Sequence, residues 1–109
     1  MKRGMRYRFG VINKICFGGR LKPIPIRIMK KSAKTLGYFE YGDTKQDLAI
    51  EIRNGNEGDM TITLLHEMIH YRQYLSKKKV VHDKKFKERE WKLANKLKKH
   101  FPEMIGRKI

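Results

Sequence analysis

The sequence predicts an α+β fold. Apolar stripes of helical period lie near both ends of the chain and in its centre, and three short period-two segments are gathered between residues 24 and 53. At 109 residues there is room for one modest core, so residues 1–109 are expected to form a single domain.

The first helix is expected over about residues 3–17. Met5, Phe9, Ile12 and Cys16 recur on one stripe, and Gly18-Gly19 would stop it. Strands follow over about 24–53. In "PIPIRIMK", Ile24, Ile26 and Ile28 alternate, and the two prolines confine the segment to a sheet edge or a strand start. "TLGYFEYG" is rich in aromatics and "DLAIEIR" alternates again, so a small antiparallel or mixed sheet is predicted. Asp59 is the expected N-cap of a second helix over about 60–76. A closing helix over about 82–100 carries Phe86, Glu90, Leu93, Leu97 and Phe101 on one stripe.

The central helix contains "TLLHEMIH", three ionisable side chains in the most apolar segment of the chain. At about 100° per residue, His66 and His70 lie roughly 40° apart, with Glu67 bordering the same face. Leu64, Leu65, Met68, Ile69 and Leu75 occupy the other side and can pack on the sheet. The pattern is HExxH: one helical turn brings two imidazoles to a shared zinc ion at about 2.0–2.1 Å, while the glutamate accepts a proton from water. The plain alternative is a core helix with two incidental histidines. Shuffling four histidines and seven glutamates through this chain yields the pattern only about once in a hundred tries.

A catalytic zinc needs a third protein ligand and one open position. Position 76, where one class of zinc peptidases has a histidine, is Ser76. His82 is the first candidate and Glu90, with a thermolysin-like spacing, is its rival. For Glu90 the plain reading is a salt bridge, and His100 reads as structural or exposed.

The net charge is +16, unevenly spread. Residues 1–39 hold 11 basic side chains and no acidic one, residues 40–76 carry a net −4, and residues 77–109 a net +9. The bland reading is a solubilising lysine-rich surface. The sharper one is a polyanion-binding frame using Arg3, Arg6, Arg8, Lys14, Lys84, Lys85, Arg89 and Lys92. Tyr7, Phe9 and Trp91 interleave with these residues and could stack on unpaired DNA bases. Cys16 alone permits neither an internal disulfide nor a CxxC zinc site. No run is long enough to span a membrane, and Asn13 and Lys14 break the apolar part of the N-terminal segment as a signal peptide. An intracellular location is expected: cytoplasm or nucleoid, or a host's cytoplasm if the source is a virus.

"INKICFGGRLKPIPIRI", "LGYFEYG", "AIEIRNG", "TLLHEMIHYRQYL" and "HDKKF" follow one another in an order and spacing that resembles SprT-like (Spartan-type) zinc metalloproteases. The resemblance covers roughly residues 9–97, and HEMIH with the downstream His82 and Phe86 is its specific part. It implies a zincin-like minimal domain without a cysteine zinc ribbon. It also implies zinc on His66, His70 and His82, Glu67 as general base, and cleavage of DNA-bound or DNA-crosslinked proteins. Asp83 stands where the family usually has glycine. "PIPIRIMK" could pair with an extended substrate backbone, and Tyr71, Arg72 or Tyr38 could stabilise an oxyanion. The competing reading is a basic nucleic-acid-binding module with structural zinc, its fourth ligand supplied by Glu90 or Asp83. A weaker one is metal-dependent hydrolysis of a substrate other than a peptide.

Overall fold

The computed structural model describes residues 4–102, except the side chain of Lys45. Helix α1, Met5–Phe17, buries Phe9 and Ile12, with Met5 and Cys16 packed beside them. It ends at Gly18, whose φ of 63° is left-handed and favours glycine. The Asn13 side chain then clamps the outgoing loop: its Nδ2 donates to the Leu21 carbonyl at 2.8 Å, and its Oδ1 accepts from the Leu21 N–H at 3.0 Å. The polar residue that interrupts the N-terminal apolar stretch is thus the one that turns the chain.

Strands β1 (Ile26–Met29), β2 (Gly37–Glu40) and β3 (Ala49–Arg53) form a mixed sheet of order β1-β3-β2. β1 runs parallel to β3, and β2 antiparallel to it. Ile50 and Ile52 of β3 point into the core, while their neighbours Glu51 and Arg53 are half-buried on the other face. There Arg27 meets Glu40 at 3.5 Å and Glu51 at 3.9 Å.

Helix α2, Glu57–Leu75, packs on β2 and β3 and also touches α1 and the last helix. It begins three residues before the expected start. Asn56, not Asp59, is the N-cap: its side chain accepts the Asp59 N–H at 2.8 Å, and its amide donates to the Asp59 carboxylate at 2.9 Å. Leu64, Leu65, Met68 and Ile69 are at most 1% exposed, each worth about 1.5–3 kcal/mol of burial. Leu75, the last residue of α2, is 40% exposed, while Tyr74 beside it meets the ring of Phe39 in β2. Helix α3, Lys84–His100, buries Phe86 and Leu97 and packs against α1 and α2. No helix among the described residues is long and apolar enough to cross a membrane.

Candidate metal centre

Two parts of the chain deliver three imidazoles to one point. His66 and His70 come from adjacent turns of α2, and His82 comes from the segment before α3. Nε2 of His82 lies 2.9 Å from Nε2 of His66 and 2.9 Å from Nε2 of His70. The ring edges facing away from that point are also engaged. Nδ1 of His66 lies 2.6 Å from the Glu90 carboxylate, and Nδ1 of His70 lies 2.8 Å from the Gln73 carboxamide oxygen. Both partner oxygens only accept, so each Nδ1 is the donor, and a ring in its neutral form then presents its Nε2 lone pair. One N–H on His82 could serve only one of those two lone pairs. A cation serves all three nitrogens, and the donor set fits one.

Phe86 forms the floor. Its ring stacks on His70 at 4.5 Å and meets His66 and His82 edge-on at 4.8 and 5.1 Å. Asp83 holds it there as the N-cap of α3, accepting the Phe86 N–H at 2.9 Å. Its backbone, φ −79° and ψ −177°, is ordinary extended chain, so an aspartate fits where a glycine was expected.

His70 and Glu67 are 5% and 4% exposed, at the bottom of a cleft of about 650 Å³. Burial, helped by the nearby Glu90 charge, pushes the Glu67 carboxyl up to about 7. Burial also lowers the His70 pKa, with His66 and His82 acting the same way against the Gln73 hydrogen bond. His70 is thereby held neutral, the form that ligates.

The far wall of the cleft is residues 34–39, including β2. The edge strand beside the site is therefore β2 and not "PIPIRIMK". β1 lies at the other edge, beyond β3. Close approach of β2 to α2 depends on Gly37, where a Cβ would lie 2.7 Å from Cγ2 of Thr63 and 3.1 Å from the Glu67 carboxylate.

A family model matches residues 5–104, nearly the whole chain, and its family is the SprT-like family. The chain belongs to the SprT-like family. That family is associated with metallopeptidase-type hydrolases. No curated protein and no solved structure matches the chain.

Within this SprT-like chain, the Glu90 carboxylate meets Nδ1 of His66, on the ring edge away from the point where the three Nε2 atoms gather, and the Asp83 side chain caps α3. The Tyr71 hydroxyl donates to the Lys22 carbonyl at 3.0 Å, and Arg72 bonds Ser76. Of the three oxyanion candidates, Tyr38 alone lines the cleft.

The basic candidates divide sharply. Arg8 is 2% exposed, paired with Glu57 at 3.1 Å and bonded to Thr61, so it ties α1 to α2 and faces no ligand. Phe9 is core. Arg6, Lys14, Lys84, Lys85, Arg89 and Lys92 are exposed, whereas Arg3 lies outside the described residues. Trp91 is 70% exposed beside Lys84, Lys87 and Lys92. Sequence reasoning missed Gln73. Its place one turn after His70, on the same side of α2, was the available signal.

Proposed function

We propose that this chain is a zinc-dependent endopeptidase with Glu67 as general base, acting on proteins associated with or crosslinked to DNA. One observation carries the reading: three imidazole nitrogens converge beside Glu67, a buried glutamate of α2, on one cleft. Neutral imidazoles in threes suit zinc and leave a coordination position open. Zinc held there would supply Lewis acidity, polarising a carbonyl and acidifying water. Glu67, with its carboxyl near neutrality, takes the proton of the attacking water and hands it to the departing amine. The free edge of β2 can receive an extended substrate by backbone pairing. Tyr38 stands on the cleft wall as a hydrogen-bond donor to the developing oxyanion.

DNA association is supported by the exposed lysines and arginines of α3 and by Trp91 among them. The test is cleavage of a basic protein with and without single-stranded DNA, comparing wild type with Glu67→Gln. Zinc-dependent cleavage stimulated by DNA, and lost in a Glu67→Gln variant that still holds zinc, is expected. Cleavage by that variant at the wild-type rate would remove Glu67 from the mechanism, and indifference to DNA would remove DNA from the function.

A further inference from the structure

We propose that Gln73 is a positioning residue that fixes two metal ligands with one side chain. Its carboxamide oxygen accepts from Nδ1 of His70 at 2.8 Å, and its amide nitrogen donates to the Val81 carbonyl at 3.1 Å. Val81 immediately precedes His82. The two bonds fix the orientation of the amide. Reversed, it would set its oxygen against the Val81 carbonyl and its NH2 group against the His70 ring.

His70 is rigidly placed by a buried helix, but His82 sits on an exposed stretch between α2 and α3 with Val81 36% exposed beside it. Helix packing cannot hold such a segment. Lys77 at its start adopts a left-handed φ of 59°, and the Lys78 N–H bonds the Gln73 carbonyl at 3.0 Å. Backbone and side chain of Gln73 therefore both grip the segment that carries His82. One contact sets which nitrogen of His70 faces the metal; the other sets where His82 arrives. Neither test substitution does both: glutamate accepts but cannot donate, and leucine fills the space and does neither.

The inference rests on reading the histidine cluster as a metal centre, and the experiment separates the two. Zinc affinity is measured by competition with a chromophoric chelator for wild type, Gln73→Leu and Gln73→Glu. Alongside, imidazole nitrogen NMR of the metal-free protein reports the His70 tautomer. Gln73→Leu should bind zinc about 10–100-fold more weakly and lose the fixed Nδ1–H tautomer. Gln73→Glu should keep that tautomer, and loss of the Val81 bond should outweigh the stronger donation that a carboxylate lends Nε2, so affinity still falls. Wild-type affinity in both variants, or a wild-type His70 protonated on Nε2, would overturn the role of Gln73. No zinc binding by wild type would overturn the metal centre itself.

Discussion

The Glu90 carboxylate lies 2.6 Å from Nδ1 of His66, on the ring edge opposite the nitrogen that meets His82. A carboxylate acceptor there fixes the ring's orientation and would make Nε2 a better donor to a metal held by the three histidines, with Glu90 acting through His66.

Glu90→Ala is accordingly expected to weaken zinc binding by about 10–100-fold. His82→Ala, which leaves two ligands, should lose binding far more completely. A metal titration of both variants checks the order. The reverse order would make Glu90 the ligand.

Gly37 and Gly10 should respond to alanine with opposite signs. At Gly37 a Cβ would lie 2.9 Å from the Glu51 carbonyl, which is backbone and cannot swing away. Gly37→Ala should cost about 1–3 kcal/mol. Gly10 lies inside α1, and a Cβ added there would meet nothing within 4 Å, so Gly10→Ala should stabilise by about 0.5–1 kcal/mol. Denaturant unfolding measures both; a neutral Gly37→Ala would mean that β2 and α2 can part.

Arg8 and Trp91 reverse the usual expectation for their residue types. Arg8→Met removes the buried tie to Glu57 and Thr61 and should cost about 1–3 kcal/mol. Trp91→Ala, at 70% exposure, should shift stability by no more than about 0.5 kcal/mol while weakening single-stranded DNA binding. Urea melts and a binding isotherm at low salt check the pair.

Cys16 should be a poor nucleophile in the native protein. Burial pushes its thiol up to about 11, against a smaller opposing effect of Lys96. At pH 8 only about one molecule in a thousand is then the reactive thiolate. Iodoacetamide should label it slowly, and quickly after denaturation. Because the folded thiol holds its proton more tightly than the unfolded one, stability from this group is complete below pH 9 and falls as pH rises from 9 towards 11.

What could be read from the sequence was whatever repeats at a fixed interval. The HEMIH spacing brings His66 and His70 together on any helix, and the alternation of Ile50 and Ile52 requires a strand. Neither pattern states which strands are neighbours, so the parallel pairing of β1 with β3 was not legible. Asn56 and Asp59 are both good caps three residues apart, and local chemistry cannot choose between them. Arg8 reads as surface because its counter-charge, Glu57, is 49 residues away. The partnership of Gln73 with Val81 needs the chain to double back after α2, which no periodicity announces.

The strand order has a consequence for synthesis on the ribosome. β1 and β2 each hydrogen-bond to β3 and not to each other, so a nascent chain that has not yet emerged beyond residue 48 carries two strands with no template. Ile26 waits for Ile50, and Phe39 for the same residue from the other side. Emergence of β3 supplies the partner for both ladders, and the next segment out is α2, whose Leu64, Leu65 and Met68 share the core with Ile50 and Ile52. The sheet and the helix that carries His66 and His70 therefore need each other, and His82 and α3 follow last in the chain.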